Sequence, residues 1–400
     1  MFTNNNLPLD ELESIGIDVR SVIGKLKAQQ VETPSWGYGN SGTRFNVFQD
    51  KGAARNIWEK IEDAALVNKL TGVSPSIAIH IPWDKVNDYK ALIDYAKDRG
   101  MRIGAVNPNL FQDEDYKLGS ITHANPNIRK KAFDHLQECV DVIHEVGSNL
   151  LSFWLADGTN YPGQDSIRLR KNRMEDVLEK VYKMLPKHVG LLIEYKFFEP
   201  AFYLTDIPDW GFSYSLCSKL GPQAKVLVDI GHHAHGTNIE QIIAFLIDEN
   251  RLGGIHFNDR KYADDDLISG SINPLELFLI FHEIVDAEKD KYGKESAQSI
   301  AFMIDQNFNI ERKVEGMIQT IINIQTAYAK ALIVNSEALR RAQEQGDILA
   351  ANRELMHAFE TDVRPLLSVM REELGIDPDP IRAYRDSGHA ERTAKERGLS

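Results

Sequence analysis

Eight residues between positions 194 and 305 have side chains that can hold a divalent cation or steady the charge beside one. They are Glu194 and Lys196, Asp229 and His232, His256, Asp264 and Asp266, and Asp305. Glu194, Asp229 and Asp305 each sit within apolar, strand-like sequence. A buried carboxylate is costly unless it is paired or bound to a cation. Three carboxylates converging on one point would repel one another, so a divalent ion is the simplest compensation. Carboxylates with one or two imidazoles, and no thiolate, suit Mn²⁺, Co²⁺, Zn²⁺ or Mg²⁺. Seven candidate ligands exceed one coordination shell, which leads us to expect two ions. Glu194, Asp229, His256 and Asp305 come from four strands and would hold one. His232, Asp264 and Asp266 would hold the other. Lys196 shares a strand face with Glu194. There it could donate to a substrate oxygen and stabilise negative charge. His80, with Trp83 close behind it, and Trp154 each end a strand. They offer an acid–base group and flat apolar walls, as a sugar pocket requires. Lys196, His80 and Asp305 are the candidate catalytic residues.

The elements that would carry these residues are short apolar segments alternating with longer helical ones. Strands are expected at 76–83, 102–107, 150–157, 190–197, 225–231, 253–259 and 299–306, with a weaker one at 32–37. Asn125-Pro126 and Asn273-Pro274 place an N-cap and an N1 proline before two helices. Thr237 and Glu240 have capping-box spacing before a third. Strand–helix alternation over some 280 residues means parallel strands with helical crossovers, and eight such units suggest an α/β fold of the (β/α)8 TIM barrel type. A doubly wound open sheet is the structural alternative, but no glycine-rich phosphate loop supports it. In such a barrel the site lies at the C-terminal ends of the strands, where the residues above fall.

Residues 1–30 read as one amphipathic N-terminal helix, 31–310 as the catalytic barrel, and 311–400 as a C-terminal helical extension. The extension is expected to pack on a neighbouring subunit, whose contact would order the last 20 residues. Trp36 to Asn40, extended by Gly42, reads as a flexible loop. His233 and His235 are expected behind the ligands or in a loop, because alternation turns His233 away from His232.

The chain has 46 basic and 59 acidic residues, for a net charge of −13. That argues against a nucleic-acid partner, which needs a basic face. The cysteines Cys139 and Cys217 are too few for a disulfide framework and read as small core residues. Neither a signal-peptide pattern nor a membrane-span-length apolar run is evident, and a reducing, cytoplasmic setting is expected.

Six ordered stretches resemble L-rhamnose isomerases of soil bacteria and bacilli, with xylose isomerase a more distant relative. They are TPSWGYGNSGTRF (33–45), DGTNYPGQDS (157–166), IEYKFFEPAFY (193–203), VDIGHHAHGTNIE (228–240), IHFNDRKYADDDL (255–267) and FMIDQNF (302–308). The resemblance runs over roughly residues 30–310. It implies a homotetramer, two Mn²⁺-like ions and a small-molecule sugar substrate. Carried over by position, Glu194, Asp229, His256 and Asp305 match the substrate-holding metal, and His232, Asp264 and Asp266 the catalytic one. Lys196 matches a contact to the substrate O1 region, and His80 a residue of ring opening. Trp83 and Trp154 match pocket walls, and Phe45 an aromatic lent between subunits. The reaction implied is interconversion of L-rhamnose and L-rhamnulose, with D-allose and related sugars as further substrates. Hydrogen would move between C2 and C1, by hydride shift or through an enediol. The lack of a free carboxylate base favours the hydride route. A metal-dependent phosphoesterase or endonuclease on a similar barrel, and a non-catalytic sugar-binding barrel, are the competing readings.

Overall fold

Alternation along the apolar segments decides which side chains meet at the centre of the molecule. The computed structural model describes residues 9–14, 16–41, 47–199, 203–262 and 264–398. Eight strands form one sheet: β1 (Thr33–Pro34), β2 (Ser76–Ile81), β3 (Arg102–Pro108), β4 (Leu150–Phe153), β5 (Gly190–Glu194), β6 (Ala224–Asp229), β7 (Leu252–Phe257) and β8 (Ala301–Ile304). Each lies parallel beside the next in chain order. Glu32 joins the two ends. Its N–H donates to Phe302 O at 2.8 Å and its carbonyl accepts from Ile304 N at 2.9 Å. This is a (β/α)8 barrel with a C-terminal helical extension.

The two faces of the strands have separate cores. Ile77, Ile79, Leu191, Ile193, Val226, Val228 and Ile255 pack outward against the helices. Trp36, Ala78, Ala105, Leu192, Leu227 and Met303 fill the barrel interior. Continuing the inward alternation upward from Ala78, Leu192, Leu227 and Met303 reaches His80, Glu194, Asp229 and Asp305. The interior layer therefore aims the polar ends.

Glu32 also works through its side chain. Its buried carboxylate accepts Ala105 N at 2.9 Å, and burial pushes its pKa up. It fits because β3 has glycine at 104. A Cβ there would lie 1.6 Å from Glu32 Oε2.

Helices Ile57–Thr71, Tyr89–Asp98, Pro126–Val146, Ile167–Met184, Trp210–Leu220, Ile239–Asp248 and Pro274–Ala287 cross between strands. Asn125 and Asn273 cap their helices with proline following, as their sequence suggests. The third cap differs. Asn238, not Thr237, accepts a main-chain N–H, that of Gln241. Helix Lys313–Leu332 packs against Pro274–Ala287 and Ile57–Thr71 and so joins the helical ring. Cys139 and Cys217 are buried and free. No described helix is long and apolar enough to cross a membrane.

Two expectations need correction. The N-terminal region is not one helix. Gly16, at φ 88, separates Leu9–Ser14 from Val19–Ala28, and Asp18 caps the second. The segment after β1 is not a flexible loop. Ser35–Tyr38 forms a 3₁₀ turn whose Trp36 and Tyr38 are buried, because Trp36 plugs the barrel interior. Separately, the C-terminal residues up to 398 pack against their own chain. Arg397 and His389 pair with buried Asp63 at 2.7 Å and 3.0 Å.

Gly104→Ala should destabilise the protein by about 1–3 kcal/mol through overpacking at the seam. Denaturant unfolding checks this. A loss no greater than that of an exposed, unstrained glycine such as Gly24→Ala would argue against the tight fit.

Candidate metal centre

β5 ends on Glu194, β6 on Asp229, and β7 carries His256 one residue before its end. Asp305 follows β8 directly. One donor atom from each of these four lies within 4.8 Å of all the others. His256 Nδ1 is 3.4 Å from Glu194 Oε1, 3.4 Å from Asp305 Oδ2 and 3.7 Å from Asp229 Oδ2. Hydrogen bonds from behind aim the carboxylates. Asn258 Nδ2 donates to both Asp229 oxygens at 3.0 Å, and Gly231 N to Oδ1 at 2.7 Å. Trp36 Nε1 donates to Asp305 Oδ1 at 2.8 Å.

The electrostatics are those of a cation site. Burial, with the charges of Glu194 and Asp305, pushes the Asp229 carboxyl up to about 7, against the pull of His232 and His256. Burial also raises Asp305, reinforced by Glu194. For Glu194 burial is outweighed by His256, His232 and Lys196, and its pKa falls. The imidazoles respond in kind. Burial opposes their charge, but the carboxylates outweigh it and push His256 up to about 9 and His232 up to about 10. Such a donor set of three carboxylates and one imidazole, without sulfur, fits a hard or borderline divalent ion.

His232, Asp264 and Asp266 reach the same cavity. His232 Nδ1 donates to Tyr195 O at 3.0 Å, which leaves Nε2 to face Asp264 Oδ1 at 3.1 Å. The other oxygen of Asp264 accepts from Lys196 Nζ at 2.5 Å. Burial raises the Asp266 carboxyl well above its usual range, and the negative charges of Asp264, Asp305 and Asp229 add to this. Asn307 Nδ2 donates to Asp266 at 3.4 Å. Asp264 and Asp266 hold left-handed backbone, at φ 47 and 50. Aspartate and asparagine tolerate this conformation better than other non-glycine residues do, and Asn250 also adopts it, at φ 52.

The cavity measures about 740 Å³. His80 stacks on Trp83 with ring centroids 4.0 Å apart, and Phe111 meets Trp83 and Trp154 edge-on. Burial and the nearby Lys60 charge push His80 down to about 3, so its ring is neutral. Lys196 Nζ lies 5.2 Å over the Trp154 ring and also donates to Glu199 Oε2 at 2.8 Å. Phe45 lies outside the described residues. His233 is buried behind the candidate ligands, its Nε2 2.6 Å from Tyr195 OH, and His235 is exposed in the loop.

Some polar residues that end expected strands turn elsewhere. Asp157 accepts four hydrogen bonds from Ser120 and Thr122. Asp259 accepts main-chain N–H groups of Arg260, Ile272 and Asn273. Conversely, Trp36, which the sequence offers only as a loop residue, lines the cavity with Phe111, Glu199 and Asn307, none of them expected there. Glu199 sits on a small antiparallel pair, Phe198–Glu199 with Tyr203–Leu204. Its one signal is its place three residues after Lys196.

His256 and His232 hold protons at neutral pH in metal-free protein, so a cation must displace them. Mn²⁺ affinity should therefore rise with pH and level off only above about 9 to 10. Calorimetry in buffers of different ionisation heat should show proton release. An affinity flat from pH 6.5 to about 9 would contradict this assignment.

Residues 70–284 match the model of the xylose isomerase-like TIM barrel family. A probable sugar isomerase of Rhizobium meliloti (strain 1021) is 43% identical over 393 residues, covering 97% of this chain and 91% of that protein. One from Mesorhizobium japonicum is 41% identical, covering 97% and 90%. Among solved structures, D-psicose 3-epimerase from Clostridium cellulolyticum H10 superposes with a TM-score of 0.52. It has 14% identity and covers 75% of this chain and 96% of its own. D-allulose 3-epimerase from Methylomonas sp. gives 0.53 at 13% identity, covering 75% and 98%. These two show the shared barrel alone. With its family match over more than half its length and curated relatives along nearly all of it, the chain belongs to the xylose isomerase-like TIM barrel family.

Proposed function

We propose that the protein is a metal-dependent aldose–ketose isomerase that interconverts L-rhamnose and L-rhamnulose. The observation that carries this reading is the cluster of Glu194, Asp229, His256 and Asp305 opening into an aromatic-walled cavity beside Lys196. The probable sugar isomerases at 43% and 41% identity support the reaction class. The choice of L-rhamnose rests on the six motifs. Glu194, Asp229, His256 and Asp305 would hold a divalent ion, which would supply Lewis-acid polarisation of the sugar carbonyl.

The chain's own groups do the rest. Lys196 is held charged, because Asp264 and Glu199 outweigh its burial. Those two carboxylates take two of its three N–H donors. The third can meet the substrate O1 and stabilise charge growing there. His80, being neutral, serves as a hydrogen-bonding partner for the anomeric hydroxyl rather than as a cationic acid. Trp83 and Trp154 offer faces to the sugar C–H bonds and exclude water. His232, Asp264 and Asp266 would hold a second ion. A homotetramer, with Phe45 reaching a neighbour's site, completes the proposal.

Glu199 bears on the route of hydrogen transfer. It gives the cavity wall a carboxylate outside the cluster of four. Its pairing with Lys196 makes it a positioning group, and the hydride route remains our choice.

Two experiments test this. Protein stripped with a chelator and reloaded with Mn²⁺ should convert L-rhamnose to its ketose, with D-allose a slower substrate. Lys196→Met should lower kcat by about 10²–10³-fold, and Asp229→Asn should remove the Mn²⁺ held by the cluster of four and abolish turnover with it. Phosphodiester cleavage, or a ketose epimerised at C3 as the sole product, would overturn the isomerase reading. Reaction in D2O should leave C1 nearly free of deuterium. Substantial incorporation would instead make Glu199 the base of an enediol route.

A further inference from the structure

Residues 389–398 bind the chain segment that walls one side of the cavity. Asp63 is buried and accepts from Arg397 through both oxygens, at 2.7 Å and 3.0 Å. His389 Nε2 stands 3.0 Å from the same carboxylate. Arg397 Nη1 also donates to Gly52 O at 3.1 Å, Gly52 N donates to Gly398 O at 3.0 Å, and Arg55 Nη1 donates to Arg397 O at 3.3 Å. The fit is close. Gly52 has φ +93, and a Cβ there would lie 2.7 Å from Ala394 N. The segment buries Arg397 and Thr393.

Hydrogen bonds join the tied segment to the stretch that lines the cavity. Ala54 N donates to Tyr38 O at 2.9 Å, and Asp50 N to Asn40 Oδ1 at 2.8 Å. Ser41 Oγ donates to Trp36 O at 2.6 Å. Asn40, Ser41, Ala54 and Arg55 line the cavity. Residues 38–41 and 50–55 contribute no strand or long helix that would hold them in place unaided.

We propose that this C-terminal strap is a positioning element for the sugar-binding wall, with Arg397 on Asp63 as its anchor. It sets how tightly the sugar is held without touching it. The proposal rests on the reading of the cavity as a sugar site. Arg397→Met removes the anchor but keeps the apolar stem. Gly52→Ala pries the strap away and leaves every charge in place.

The test uses both full-length variants loaded with Mn²⁺. Amide hydrogen exchange at 38–41 and 50–55 should accelerate about tenfold, while β5 to β7 keep their protection. KM for the aldose should rise about fivefold or more, with kcat and Mn²⁺ affinity within about twofold, as expected when uniform substrate binding is lost. Unchanged exchange in the two segments overturns the proposal, even if the variants melt earlier. So does accelerated exchange with an unchanged KM. If the wild type turns over no aldose, the isomerase reading fails on that result. The strap is then upheld or overturned by exchange together with equilibrium binding of L-rhamnose to the Mn²⁺-loaded protein.

Discussion

Carboxylates gathered in a buried barrel mouth are the constraint on which the remaining structure depends. Glu194, Asp229 and Asp305 arrive from three strand ends with their oxygens a few ångströms apart, the first two fully buried and the third half-buried at the cavity. Charge of one sign at such spacing in a low dielectric is unfavourable unless opposite charge meets it. Imidazoles, a lysine ammonium and neutral donors supply part of the answer. His256 and His232 take up protons, Lys196 sits against Asp264, and Asn258, Gly231 and Trp36 give N–H groups to the carboxylate backs. A divalent ion would supply the remainder. The donors behind Asp229 and Asp305 fix the carboxylate planes, as outer partners commonly do for metal ligands.

Much of this was legible because a strand has only two faces. Once 190–197 is a strand, Glu194 and Lys196 share the side that Leu192 buries, and Tyr195 must face the helices. The same parity separates His232 from His233. What parity does not reach is the loops. Trp36, between proline and glycine residues, reads as mobile. Only the packed barrel shows that its indole fills the interior and bonds Asp305. Phe111 lies beyond β3 in a segment without periodicity. Glu199 depends on a small antiparallel pair whose register no short pattern announces. Asp157 and Asp259 fail in the opposite sense. They follow the strands in sequence, but the chain turns first, and nearby main-chain N–H groups claim them.

The loop after β7 shows a trade between local comfort and aim. Asp264 and Asp266 occupy left-handed backbone that a glycine would adopt more easily. Glycine, however, has no carboxylate. In exchange Asp264 reaches both His232 and Lys196. Strain of this kind persists where neighbouring contacts over-determine the conformation.

The seam at Glu32 has a consequence for how the protein is made. Its partners, Phe302 and Ile304, leave the ribosome long after it does, and Asp305 follows them. The bond from Trp36 to Asp305 spans 269 positions, and that from Asp63 to Arg397 spans 334. During vectorial synthesis the first seven strands can pair in order as an open sheet, and contacts of such long range come last. The fourth donor of the cluster is therefore in place only when the ring shuts. A cation that needs all four residues would act as a late proofreader of synthesis, holding tightly only to chains that have closed.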